Sequence, residues 1–370
     1  MSDRPSLSPL RKVLMTADAV GGVWTYAMEL ARSLAPAEVV LATMGPAPDA
    51  AQQAEAQAIP NLELTTGDFR LEWMDDPWAD VDAAGEWLLS LEAHHRPDLI
   101  HLNGYCHAAL PWQAPCLVVA HSCVLSWWEA VKEGPAPSGW ARYARKVAAG
   151  LRAADHIVAP SHAMLDSLRR HYGELPSSSV IANGREMPSA TCDNKEPIIL
   201  SAGRLWDEAK NTRVLAKAAE GLSWPVLLAG ESGCSRSSGY DSVELLGKLS
   251  GADLAGWYAR AAIYALPAKY EPFGLSALEA AQAGCALVLA DIPSLRELWD
   301  GAAIFVPPSN PSLWQAALTE LIRHPEVRSD LGRLASGRAG LYTAGRMKDA
   351  YIDLYHRILK SHQLRFAAAS

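Results

Sequence analysis

Two carboxylates, Glu271 and Glu279, flank the turn Pro272-Phe273-Gly274-Leu275 with seven residues between them. The apolar run Ile263-Tyr-Ala-Leu-Pro267 precedes them. The order therefore reads strand, loop, helix, with Glu271 on the loop and Glu279 one turn into a helix that ends at Gly284. Ser276-Ala-Leu-Glu279 also fits a capping box, in which the glutamate bonds back to the first amides of its own helix. Capping accounts for Glu279 alone. It gives Glu271 no structural role, and an acid just past a strand end lies where open α/β sheets bind ligands. Bare N–H groups at a helix start suit an anion, and the glutamates suit sugar hydroxyls.

A second cluster, Gly203-Arg204-Leu-Trp-Asp207-Glu208-Ala-Lys210-Asn211, places two cations six positions apart between a strand end and a helix. Converging cations suit a diphosphate, Arg204 as a planar fork and Lys210 as a mobile point charge. Surface pairing with Asp207 and Glu208 would explain them equally well. Near the start of the chain, Lys12-Val-Leu-Met-Thr16 runs through Asp18 into Gly21-Gly22 and a helical stripe of Val23, Ala27, Leu30, Ala31 and Leu34. The glycine pair lets a phosphate or a facing domain approach the backbone. No Gly-x-Gly-x-x-Gly fingerprint is present, which disfavours a nicotinamide enzyme. Asp80-Val-Asp82 has a metal-binding spelling but reads as the exposed first turns of a helix, so no metal is expected.

Positioning these groups takes two sheets. Strand-like runs begin at Lys12, Glu38, Asn61, Asp98, Cys116, Asp155 and Ser179, with helices about 78–94, 138–153 and 162–172 among them. The polar, proline-flanked stretch 185–197 breaks the pattern and reads as a linker. A second alternation follows, with strands from Ile198, Pro225, Val243, Ile263, Cys285 and Ala303 and helices near 211–222, 252–262 and 276–283. Helices fill 310–323, 325–340 and 345–361. Alternation of this kind implies parallel sheets covered on both faces. The expected fold class is α/β, two tandem Rossmann-like domains facing a central cleft, divided as 1–185, 186–345 and a terminal helix 346–370. Gly230 lies at one strand end of the second half, and His121 closes the Leu117-Val-Val-Ala run of the first. His101 has nearly the same context one strand earlier, so a structural histidine is an open alternative. His107, Trp127 and Trp128 follow strands of the first half and are candidates for a second substrate, although core packing explains the tryptophans equally well.

Composition narrows the class. A chain of 370 residues exceeds one ordinary core, and 49% hydrophobic with 20% charged residues is normal for a globular enzyme. A net charge of −8 argues against a nucleic-acid partner. No run is long and apolar enough to span a bilayer, and the first residues lack a signal-peptide core, so a cytoplasmic location is expected. The six cysteines, at 106, 116, 123, 192, 234 and 285, form no Cys-x-x-Cys pair and read as buried thiols. No cofactor is expected, since nothing beyond ordinary lysines points to pyridoxal phosphate.

Gly-Arg-Leu-x4-Lys-Asn, followed about sixty residues later by Glu-Pro-Phe-Gly-Leu-x3-Glu-Ala, resembles family-4 retaining glycosyltransferases of the GT-B fold. Asn183-Gly184, Gly230-Glu231 and Asp291 to Glu297 also occupy positions similar to that family's. The resemblance covers most of 12–310. It implies a hexose moved from a nucleoside diphosphate sugar to a hydroxyl acceptor, without metal. By the same resemblance Glu279 holds the ribose, Glu271 and His121 serve the sugar, and Arg204 and Lys210 hold the diphosphate. Gly21, Gly22, Gly230, Phe273, Gly274 and Leu275 shape the donor site, and the terminal helix crosses back onto the first domain. A sugar-nucleotide epimerase, or a catalytically silent nucleotide-sugar-binding protein of the same fold, is the alternative. Donor base, sugar, acceptor and oligomeric state stay open.

Overall fold

The computed structural model describes residues 10–187, 195–231 and 239–369, the side chains of the last four excepted. Cys192, Cys234 and the middle of the expected linker lie outside these residues. Cys106, Cys116, Cys123 and Cys285 are buried free thiols.

The first sheet comprises β1 (Lys12–Asp18), β2 (Glu38–Met44), β3 (Leu62–Thr66), β4 (Leu99–Leu102), β5 (Cys116–Val119), β6 (His156–Ala159) and β7 (Ser178–Val180). Its strands run parallel in the order β3-β2-β1-β4-β5-β6-β7. The second comprises β8 (Glu196–Ala202), β9 (Val226–Ala229), β10 (Glu244–Gly247), β11 (Ala261–Leu266), β12 (Ala286–Ala290) and β13 (Ile304–Val306). They are also parallel, in the order β10-β9-β8-β11-β12-β13. Every residue of β11 and β12 is buried, as expected of strands covered by helices on both faces. The chain is thus two Rossmann-like domains. Each sheet reverses its winding once, between β1 and β4 and between β8 and β11, and a crevice opens beyond the strand ends at such a reversal.

Apolar packing divides accordingly. One face of the first sheet buries Leu14, Val40, Ile100 and Leu151, the other Val13, Met15, Leu30 and Val39. The second sheet shares one core that includes Trp299 and Trp314. The long helix Ala344–Ala369 packs on the first domain, where Met347, Tyr351, Leu354, Tyr355 and Ile358 join the face that holds Leu30 and Ile181. This contact explains His101. Its ring is fully buried on β4, with Nδ1 2.6 Å from the Tyr355 hydroxyl and Nε2 3.2 Å from that of Tyr26. Burial lowers its pKa to about 3, so it stays neutral and fastens the terminal helix to the sheet.

Three helices were not expected from the sequence: Ala50–Gln57, which the Asp49–Gln52 capping box starts, Val124–Lys132, and Pro293–Trp299, which has proline at its first position. The middle one contains Trp127 and Trp128, side chains of modest helix propensity, and is held by tertiary contacts. No helix among the described residues is long and apolar enough to cross a membrane.

The return of the chain to the first domain depends on Gly184. A Cβ there would stand 2.1 Å from the Thr343 carbonyl oxygen, and the Gly184 N–H already points at Met347 Sδ, 3.1 Å away. Gly184→Ala should therefore destabilise the protein by roughly 2–4 kcal/mol, read as a lowered urea midpoint. An unchanged midpoint would mean that the crossing segment does not pack this tightly.

Candidate functional site

The carboxyl ends of both reversal points open on one cavity of about 1340 Å³ between the domains. Its floor is made by two loops of the second domain. After β8 the loop carries Arg204, Asp207 and Lys210; after β11 it carries Glu271, Phe273 and Gly274. Lys210 Nζ meets Glu271 Oε2 at 2.5 Å, and the other carboxylate oxygen accepts the Gly274 N–H at 3.0 Å. Both side chains are largely shielded, at 17% and 12% exposure. Glu271 thus has a structural role invisible in the sequence, orienting Lys210 and tying down its own turn.

Gly274, at φ 87°, is the N-cap of the helix Leu275–Gln282 and makes no side-chain cap. The capping box expected from Ser276 and Glu279 does not form. Glu279 instead projects from the buried face of that helix and pairs with Arg185 at 2.8 Å. Burial raises its pKa above the ordinary carboxylate range, and Arg185 partly offsets the shift. Phe273 is buried with its ring 5.7 Å from that of Tyr342, an anchor beneath the turn.

Arg204 bonds Asp207 through Nη2 at 2.9 Å and leaves Nε buried with no partner. Across the cleft its Nη1 lies 3.4 Å from where a Cβ on Gly21 would stand, and Leu275 stands at the same distance from Gly22. Gly21 has φ 83° and opens the helix Gly22–Ser33, whose N-terminus carries no side-chain cap. Two uncapped helix starts and two cations therefore face one space, which suits a polyanion. Gly230 does not line the cavity. Its own Cβ would stand 1.8 Å from the Gly203 carbonyl oxygen, so glycine there lets two strand ends close together beneath the Arg204 loop.

The first domain adds His121, half-buried beside Tyr26, with ring centroids 4.5 Å apart. Asn103 donates its amide to the Thr16 carbonyl at 2.7 Å, so its oxygen accepts from His121 Nε2 at 2.8 Å. Burial lowers the His121 pKa to about 3. The ring is neutral, protonated on Nε2, and offers Nδ1 as an acceptor. His107, Trp127 and Trp128 all line the cavity. His107 is tethered by Nε2 to the Val81 carbonyl at 2.9 Å, and Trp127 Nε1 reaches Asp207 at 3.3 Å, joining the two walls. Asp80 and Asp82 pair with Arg70 at 3.3 Å and Lys146 at 3.0 Å and do not line the cavity.

The sequence did not single out Asp18, Glu72, Asn103 or Arg185, which also line it, as does Asn183, named with Gly184 by the family resemblance. Asn183 Oδ1 is buried without a partner, and its position beside Gly184 was the one available signal.

Residues 20–186 match the profile of Glycosyltransferase Family 4, and residues 196–324 that of Glycosyl transferases group 1. The D-inositol 3-phosphate glycosyltransferase of Streptomyces bingchenggensis is 26% identical over 405 aligned positions, covering 94% of this chain and 87% of its own. That of Xylanimonas cellulosilytica is 28% identical over 404, covering 95% and 94%. Among solved structures, sucrose-phosphate synthase from Thermosynechococcus elongatus is similar with a TM-score of 0.76 at 20% identity, over 95% of this chain and all of that one. Anabaena HepE in complex with UDP-glucose gives 0.73 at 16% identity, over 95% and 99%. Both likenesses concern the fold.

Asp18 yields a prediction independent of any ligand. Burial raises its pKa from 3.8 to about 6, against a hydrogen bond from the Val20 N–H and the charge of Arg204. The folded state then binds the proton more tightly than the unfolded chain, so this group's contribution falls as pH rises from about 4 to about 6. Asp18→Asn should gain stability relative to the parent across that window and hold the gain above it. Melting curves at successive pH values read the difference, and a difference independent of pH would contradict the shift.

Proposed function

We propose that this chain, which belongs to the family-4 glycosyltransferases of the GT-B fold, moves a hexose with retention from a nucleoside diphosphate sugar to a hydroxyl acceptor. The observation that carries the reading is the single space shared by Arg204, the Lys210–Glu271 pair and the uncapped Gly21-Gly22 helix start. That arrangement supports a diphosphate lying between the domains. Arg204 keeps Asp207 on one edge and has Nε and Nη1 to offer, while Lys210 can share its charge between Glu271 and a phosphate oxygen. These cations would neutralise the leaving diphosphate in place of a metal.

Glu279, held by Arg185, would accept hydrogen bonds from the ribose hydroxyls. Glu271 would hold sugar hydroxyls or the positive charge developing at the anomeric carbon, and His121 Nδ1 would accept from another hydroxyl. Retention would proceed on one face: the acceptor oxygen bonds to the anomeric carbon as the bond to the diphosphate oxygen breaks. The acceptor's proton passes to that leaving oxygen. Anabaena HepE, bound to UDP-glucose, supports the donor class by its fold alone. A chain built this way would serve a cytoplasmic, water-soluble acceptor as readily as any other.

One nucleoside diphosphate should raise the melting temperature in the presence of EDTA, by about 2.7 kcal/mol of stabilisation at a hundredfold excess over its Kd. The matching sugar nucleotide should be slowly hydrolysed. Glu271→Ala should nearly abolish turnover, whereas Asp80→Ala should leave it intact. No shift with any nucleoside diphosphate, metal present or not, would remove the basis of the reading; equal loss in the two variants would restore a role for the Asp80-Val-Asp82 acids.

A further inference from the structure

The cavity exceeds the roughly 300–1,000 Å³ usual for one small ligand, which leaves room for an acceptor beyond the donor site. Its far wall belongs to the first domain. Trp73, 39% exposed, faces that space together with half-buried Trp127, Trp128 and Trp140. Such indole faces stack on sugar rings and aryl groups.

Charge on this wall is the more telling feature. Glu72 lines it, its carboxylate fixed by the N–H groups of Tyr105 at 3.1 Å and Cys106 at 2.8 Å. Asp18 lies toward the donor side. Arg185, Arg204 and Lys210 stand beside Glu279, Asp207 and Glu271; the other cations among the described lining residues are Lys248, paired with Asp49 at 3.0 Å, and Arg70, which holds Asp80 at 3.3 Å and the carbonyls of Asp75 and Asp76, both at 3.3 Å. Lys132, at the end of the tryptophan helix, pairs with Glu208 at 2.6 Å. At the start of that helix Cys123 N–H donates to the Tyr270 hydroxyl at 3.0 Å and Val124 N–H to that of Tyr143 at 3.3 Å. His107 has spent its Nε2 on Val81. A phosphate monoester, carrying about −1.5 to −2 charges, would meet the Glu72 carboxylate, and each cation beside this wall would have to be drawn from the acid it already holds.

Resting on the transferase reading above, we infer that the acceptor is an uncharged hydroxyl compound presenting a ring face, a sugar or an aryl glycoside. A phosphorylated acceptor, of the kind for which the relatives from Streptomyces and Xylanimonas are named, does not fit this wall.

The test uses the full chain and the sugar nucleotide identified by melting shift and hydrolysis. Matched acceptors are compared: glucose and glucose 6-phosphate, phenyl β-D-glucoside and its 6-phosphate, myo-inositol and D-inositol 3-phosphate. At least one uncharged member should be glycosylated with a kcat/KM tenfold or more above its phosphorylated partner. Equal or better use of the phosphorylated members, or transfer to none of the six from a donor that is hydrolysed, overturns the acceptor inference and leaves the transferase reading standing. Absence of any nucleotide effect fails both. Trp73→Ala should raise the acceptor KM at least fivefold and Trp73→Phe should recover most of it, with the nucleotide melting shift as the check on folding; an unmoved KM in the alanine variant also overturns the inference.

Discussion

The Lys210–Glu271 ion pair is the constraint on which the donor side of the cleft depends. It joins the loop after β8 to the loop after β11, across the point where the second sheet reverses. Taking two charges out of water is costly, and a close pair with a further hydrogen bond recovers that cost only in part. Gly274 N–H supplies the further bond, and Ser294 donates to the Glu271 carbonyl to fix the backbone. An apolar pair would hold the loops at least as well. Retaining charge here gives the site a cation that is already positioned and already compensated, ready to be shared with an arriving anion.

The same economy extends across the cleft. Arg204 is compensated by Asp207, Glu279 by Arg185, and Asp49 by Lys248, the last a link between domains. Asp207 also accepts from Trp127, while Ser161, at the start of the helix His162–Tyr172, donates to the Pro272 carbonyl at 2.8 Å. Glu297 caps that same helix through the His162 and Ala163 N–H groups. The Pro272-Phe273-Gly274 turn of one domain is thus pinned to the framework of the other by neutral or cap hydrogen bonds. Such contacts are cheaper to rearrange than an apolar interface, which suits domains that must admit two substrates.

Legibility in the sequence followed the physics of each feature. All thirteen strands were readable, the interior ones because buried parallel strands are continuous apolar runs and the partly exposed edge strands β3, β7, β10 and β13 from their place in the alternation, and the two-domain division followed from its interruption. The short helix Val124–Lys132 was not, since its stability comes from tertiary contacts rather than propensity. The site residues with local motifs, Arg204, Lys210, Glu271 and Glu279, were found and do meet in one cavity. Their pairing was not legible: Lys210 and Glu271 are 61 positions apart, and Arg185 sat in what read as linker. Ser276 and Glu279 had the spelling of a capping box, but Gly274 already starts the helix in the left-handed region and turns Glu279 toward Arg185. Gly230 illustrates the converse case, a glycine demanded by backbone crowding and not by a ligand.

The two histidines show how burial separates residues that sequence context cannot. His101 lies within β4 and His121 just beyond β5, and burial holds both neutral, with pKa values near 3. His101 has both ring nitrogens engaged by tyrosine hydroxyls, one of them on the terminal helix, and has nothing left to offer a ligand. His121 spends one nitrogen on Asn103 and lines the cavity. The difference lies in the partners, and the terminal helix supplies the one that matters. By delivering Tyr355 to His101, it occupies the second ring nitrogen of that imidazole and makes it part of the core, while His121 lines the cavity.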